Sequence, residues 1–233
     1  MSSSSNHTEP PTSPPIRSLE PSDTRPLTKT AQPVSEPKPE PEPLKQILIT
    51  GTGRCGTTFL TLLFTFLDYD TGFTRDNYNT QCKQYNCKFD PVSRGGLETV
   101  WLNCHYIVKN PYFMSKSQML LEFNRANIKQ IIIPVRDYTL SAKSREKYGN
   151  KWGGLWDAKN AEEQVQFYHK IMAEFILLAT KYEMNTLFLD FDKMVSDKTY
   201  LFQKIKHILD EKNISFDTFA KVYDEVSVIS KVK

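Results

Sequence analysis

Apolar residues in this chain fall into short unbroken runs and longer helical stripes that alternate with one another. Gln46-Ile47-Leu48-Ile49 is an apolar run of strand length. It is followed by Gly51-Thr52-Gly53-Arg54-Cys55-Gly56, and then by Thr57 to Leu67, which is apolar almost all round, as a buried helix is. Cys104 to Val108 reads as a second strand. Ser115 to Ala126 reads as a helix with Ser115 as its N-cap, and Lys129 to Val135 as a third strand, apolar on both faces. Such runs belong to central parallel strands covered by helices on both sides. Asp137 to Lys147 reads as helical. From Asn160 to Met184, Val165, Tyr168, Ile171, Met172, Phe175, Leu178 and Ala179 recur at helical spacing. Thr186 to Phe191 is a fourth strand, and Asp197 to Glu211 and Phe216 to Ile229 close the chain as helices. Strands alternating with helices predict an α/β fold: a P-loop-type, mainly parallel sheet of about four to five strands flanked by helices.

Two stretches stand outside this pattern. Met1 to Lys45 holds 11 of the 14 prolines and no aromatic residue, and ends in Pro37-Lys38-Pro39-Glu40-Pro41-Glu42-Pro43. It has too little apolar surface to offset the entropy of ordering its backbone, so it is expected to be a disordered or polyproline-like arm. The domains are then residues 1–45, the arm, and 46–233, the folded part. Asp68 to Thr99 is polar, aromatic and irregular, and a loop of that length inside a compact domain points to function.

The net charge is +3; residues 46–233 carry 25 basic and 21 acidic residues, or +4. That excess is too small to imply nucleic acid as a partner, though it suits an anionic small ligand. No run is apolar and long enough for a bilayer span or a signal peptide, so a cytoplasmic enzyme is the default expectation. Cys55, Cys82, Cys87 and Cys104 are then expected as thiols, with a Cys82–Cys87 disulfide open if the compartment is oxidising. No zinc-ligand spacing accompanies them, and no metal is expected.

Gly51 to Thr58 has the G-x-x-x-x-G frame of a phosphate loop between a strand and a helix. Its glycines let several backbone N–H groups converge on one phosphate at the positive end of the helix. Thr57 stands where nucleotide triphosphatases carry a lysine, and the cation has moved to Arg54 inside the loop. A second anion contact is expected at Arg136, which follows the third strand, together with Ser144 eight residues on. Arg136 would face the ligand crevice at the carboxyl ends of the strands.

With both motifs in place the sequence resembles the sulfotransferases that use 3′-phosphoadenosine 5′-phosphosulfate, nearer to the carbohydrate and tyrosyl-protein types than to the cytosolic aryl types. Arg54-Cys55-Gly56-Thr57-Thr58 matches their [KR]-x-G-[ST]-[ST] loop, and Arg136 with Ser144 matches their Arg/Ser pair. The resemblance implies that Gly53, Arg54, Cys55, Gly56, Thr57 and Thr58 hold the donor's 5′-phosphosulfate and that Arg136 and Ser144 hold its 3′-phosphate. It sets Phe59 beside the adenine. Val108-Lys109-Asn110-Pro111 looks like the family's K-x-P segment, which makes Lys109 a helper of the leaving phosphate. The histidine that the cytosolic branch carries two residues after a lysine is absent, as is that branch's C-terminal glycine-rich motif. No base is therefore carried over. Glu98, Asp76 and His105 are candidates from their place near the second strand, Glu98 being the one assigned. Trp152 and Trp156 are expected either to wall an acceptor site or to anchor their loop. A kinase with a degenerate phosphate loop and a non-catalytic nucleotide-binding protein are the alternative readings.

Overall fold

The fold was obtained as a computed structural model, which describes residues 45–78, 97–98, 105–148 and 154–230. The Pro-rich arm, most of the long loop, Trp152 and three of the four cysteines, Cys82, Cys87 and Cys104, lie outside the described residues.

Four strands build one sheet: β1 (Gln46–Ile49), β2 (Ile107–Lys109), β3 (Ile128–Val135) and β4 (Thr186–Asp190). All three pairings are parallel and the order is β2-β1-β3-β4. The expected parallel α/β sheet is what the chain forms, with four strands among the described residues. Helix α1 (Thr57–Phe66) follows β1, α2 (Ser117–Asn124) follows β2, and α3 (Tyr138–Glu146) and α4 (Ala161–Lys181) lie between β3 and β4. After β4 come α5 (Phe191–Ser196), α6 (Lys198–Leu209) and α7 (Phe216–Ser230).

Alternation along the strands sorts the core into two layers. Ile47, Ile49, Ile107, Ile132 and Leu189 face α1, α6 and α7, where Phe59 packs edge-on against Tyr223 with ring centroids 5.5 Å apart. Leu48, Val108, Ile131 and Ile133 face the other side and meet Tyr168, Ile171 and Phe175 of α4. The helix after β1 therefore covers one face of the sheet while those after β3 cover the other. The chain diverges between these neighbouring strands, and in open α/β sheets that divergence opens the ligand crevice.

Ends of elements differ from expectation in instructive ways. The segment after β2 does not wait for Ser115. Asn110 caps a 3₁₀ turn, Pro111–Lys116, by accepting from the backbone N–H groups of Tyr112 (2.9 Å) and Phe113 (3.1 Å), and α2 continues from it. Pro111 suits a first helical position because its ring fixes φ and its missing N–H would have no partner there. β2 is shorter than predicted: Tyr106 stays outside the strand and His105 precedes it. The stretch after β4 breaks into α5 and α6 at Asp197, whose carboxylate caps α6 by accepting from Tyr200 N–H. Among the described residues, no helix is long and apolar enough to cross a membrane.

Candidate active site

β1 and β2 end level, with Ile49 opposite Lys109, so the glycine loop leaves the sheet beside Lys109. Thr50 secures that exit: its hydroxyl donates to the Asn110 carbonyl (2.8 Å) and its N–H to Ile132 O (3.1 Å). The loop then turns through left-handed backbone at Gly53 (φ 82°), Arg54 (φ 56°) and Gly56 (φ 86°). Gly56 is the N-cap of α1 and makes no side-chain cap there, whereas α3, α4, α5 and α6 are capped by Asp137, Asn160, Asp190 and Asp197. No acidic residue stands in the first turn of α1. Its leading N–H groups and the positive end of its dipole are thus left for an anion.

The predicted site residues converge, but not all in the expected roles. Lys109 is only 3% exposed, and its ammonium donates to Thr58 Oγ1 (2.9 Å) and Glu98 Oε1 (3.2 Å). One cation, one loop hydroxyl and one carboxylate, drawn from three separate stretches of chain, form a single constellation. Burial pulls the Lys109 ammonium below its ordinary range, and the Glu98 carboxylate pushes it partly back up. The second carboxylate oxygen, Glu98 Oε2, is buried and makes no hydrogen bond among the described residues.

Arg136, just past β3, reaches the loop directly: Nη1 donates to the Arg54 carbonyl at 3.1 Å, and its guanidinium lies 4.4 Å from the centre of the Phe191 ring. The Nε of Arg136 is buried without a partner, as is the hydroxyl of Thr52. Arg54 lays its own guanidinium on the Tyr148 ring at 4.2 Å. Ser144 is half-buried on α3, and no described hydrogen bond joins it to Arg136. Of the second expected contact, Arg136 therefore adjoins the loop.

Two expectations need correction. Phe59 is buried in the core against Tyr223, and at 1% exposure it has no face to set beside an adenine. It lies in the first turn of α1, a helix that is buried almost all round, and the same apolar surface that makes the helix fold inward takes the ring with it. Cys55 is fully buried, and burial pushes its thiol up, so only its main chain remains to serve a ligand.

Of the three base candidates, Glu98 alone stands at the site. His105 precedes the amino-terminal end of β2, away from the loop, and pairs with Asp70 through Nδ1 at 2.8 Å. Asp76 is exposed beside Arg75, which donates to Phe66 O at the far end of α1. That end lies about 15 Å from the loop by the rise of ten helical residues. Trp156 anchors its segment to the protein: its ring lies under Arg145 (4.7 Å), and its backbone N–H donates to Gln164 Oε1 (2.5 Å).

Sequence reasoning gave no role to Arg145, Tyr148 or Phe191. Arg145 is buried, donates to Gly154 O (2.6 Å) and Thr52 O (3.5 Å), and lies against Gly53. Its one signal in the sequence is spacing: with Ser141 and Ala142 it occupies the inward stripe of α3, where a basic residue is out of place unless it has a task. Among the described residues, no cluster of three or more His, Cys, Asp or Glu side chains could hold a metal ion. Comparison with known protein families, with curated proteins and with solved structures finds no match to this chain.

The Lys109–Glu98 pair carries a pH prediction. The Lys109 ammonium, already lowered by burial, is held up by Glu98, so Glu98→Gln lowers it further. The contribution of this ammonium to anion binding is full below the Lys109 pKa and falls away as pH rises through it, a severalfold weakening. The alkaline limb of anion affinity is expected to move to lower pH in Glu98→Gln, followed by calorimetric titration across pH. An unmoved limb contradicts the pairing.

Proposed function

We propose that this chain is a sulfotransferase that moves the sulfuryl group of 3′-phosphoadenosine 5′-phosphosulfate to a hydroxyl or amine acceptor. The observation that carries the reading is the contact of Lys109 with both Thr58 of the loop and Glu98. It supplies, within hydrogen-bond reach, the three groups that an in-line transfer needs: a cation and a hydroxyl for the leaving phosphate, and a carboxylate for the acceptor's proton.

In the proposed reaction Glu98, through Oε2, takes the proton of the acceptor as its oxygen or nitrogen bonds to sulfur. The bond from sulfur to the bridging phosphate oxygen breaks, and the electron pair goes to that oxygen. Lys109, Thr57, Thr58 and the Arg54 guanidinium stabilise the charge that develops there. Sulfated acceptor, 3′,5′-adenosine bisphosphate and a protonated Glu98 result. Charge-assisted hydrogen bonds of this kind contribute roughly 1.5–3 kcal/mol each. Arg136, with Ser144 on the neighbouring helix, would receive the 3′-phosphate. The uncapped start of α1 and the unpartnered Nε of Arg136 and hydroxyl of Thr52 suit a ligand with phosphates at both ends. The adenine contact must come from a residue other than Phe59.

Thermal unfolding tests the donor side without knowledge of the acceptor. A ligand that binds only the folded state at a hundred times its dissociation constant stabilises by about 2.7 kcal/mol, a shift of roughly 5–10 °C for a domain of this size. 3′,5′-Adenosine bisphosphate is expected to raise Tm by that much and ATP with Mg²⁺ by far less. Equal or greater protection by ATP with Mg²⁺ favours a kinase instead.

A further inference from the structure

We propose that Arg145 is a positioning residue that sets the shape of the phosphate loop and couples it to the segment Gly154–Trp156. The proposal rests on the reading of residues 51–58 as an anion-binding loop, but its structural core can be tested without a ligand.

Arg145 sits on the inward stripe of α3, 8% exposed, and among the described residues no carboxylate pairs with it. A buried cation without an acidic partner is costly and persists where other groups hold it. Here backbone and aromatic groups do so. Nη1 donates to Gly154 O at 2.6 Å, Nη2 to Thr52 O at 3.5 Å, and the Trp156 ring lies 4.7 Å from the guanidinium carbon. Trp156 is itself rooted on α4 through Gln164. The planar, rigid fork of an arginine thus spans two segments of chain that share no other described hydrogen bond.

At 3.5 Å the contact with Thr52 is a weak hydrogen bond, and the firmer hold on the loop is steric. A Cβ added at Gly53 would come to 1.9 Å from Nη2 and 2.9 Å from the guanidinium carbon. Gly53 is therefore required twice over: by its left-handed backbone, φ 82°, and by the closeness of the guanidinium. The guanidinium in turn fills the space beside Gly53 and fixes the turn in which the loop N–H groups point. It also brings a positive charge that no carboxylate neutralises to within contact of the loop. That charge is felt at Tyr168 as well: burial pushes its hydroxyl up to about 12, and Arg145 draws it partly back. A shift of Gly154 or Trp156 moves the guanidinium, and with it Gly53.

Amide hydrogen exchange on the unliganded full chain tests the coupling. In Arg145→Lys, which keeps the charge but lacks the fork, exchange is expected to rise at least tenfold in residues 51–56 and 154–156 together, with β1 and β3 unchanged. Unchanged exchange in either segment overturns the proposal. A double-mutant cycle with 3′,5′-adenosine bisphosphate as probe reads the consequence for binding. Gly53→Ala is expected to weaken binding more than tenfold in the native background and less than about threefold when combined with Arg145→Ala, which removes the collision and leaves only the strain of φ. An equal effect in both backgrounds overturns the steric role. Absence of bisphosphate binding by the native protein, together with the paired rise in exchange in Arg145→Lys, sinks the sulfotransferase reading and leaves the positioning role of Arg145 in place.

Discussion

Replacement of Lys109 by methionine is expected to slow turnover of the phosphosulfate donor by two to three orders of magnitude while bisphosphate affinity falls only severalfold. Methionine keeps the length and apolar stem of the buried side chain and removes the ammonium that touches Thr58 and Glu98. Loss of one preorganised donor aimed at a developing oxyanion lowers kcat by about 10²–10³ in well-studied enzymes. The ground state suffers less, because the phosphate in the bound donor already has the loop N–H groups and Arg54. The substitution also leaves Glu98 buried without its cation, and an unpaired buried charge is itself destabilising. Lys109→Met with Glu98→Gln isolates the stability effect: it should restore thermal stability, while turnover, now without the proposed base as well, stays at least as slow as in the single variant. Turnover of Lys109→Met within about threefold of the native protein would remove Lys109 from the reaction.

Replacement of Arg136 by alanine is expected to weaken binding of 3′,5′-adenosine bisphosphate about a hundredfold, with the fold retained by circular dichroism. Its guanidinium stands at the carboxyl end of β3, in the crevice where the chain diverges, and its unpartnered Nε is available to a phosphate oxygen. An arginine–phosphate contact with two parallel hydrogen bonds contributes roughly 3 kcal/mol, which is the hundredfold stated. The same side chain steadies the Arg54 carbonyl and lies against Phe191, so its loss also loosens the loop. Arg136→Lys keeps the charge but not the planar fork, and is expected to recover only part of the affinity. Equal binding by native protein and Arg136→Ala would mean that the 3′-phosphate lies elsewhere.

Much of this architecture was legible from local pattern. The apolar runs at Gln46–Ile49 and Ile131–Ile133 and the helical stripe from Tyr168 to Ala179 report burial on the faces of a covered parallel sheet, and burial is what drives those elements together. The glycine loop was legible because left-handed backbone and close approach leave glycine as the default choice. Contacts between residues distant in sequence were not, even where the residues themselves were candidates. Glu98 and Lys109 are 11 residues apart, and Thr58 lies 51 residues before Lys109; only the alignment of β1 with β2 brings them together. Arg145 reads as a helix-surface cation until the packing of α3 turns it inward. Phe59 illustrates the reverse error: a position matched to a binding role by its place in a motif is claimed by the core, because α1 is apolar on every side. Ser115 stands nearer the apolar run than Asn110 does, but the proline beside Asn110 starts the first turn earlier.

Calorimetric titration of the intact chain with 3′,5′-adenosine bisphosphate, set against ATP with Mg²⁺, asks most directly whether one crevice grips an adenosine ligand by both phosphates. Submicromolar binding of the bisphosphate, at least a hundredfold tighter than ATP with Mg²⁺ and needing no metal, is the predicted result. Preference for ATP with Mg²⁺, or no heat of binding from the bisphosphate at any concentration tested, would contradict it.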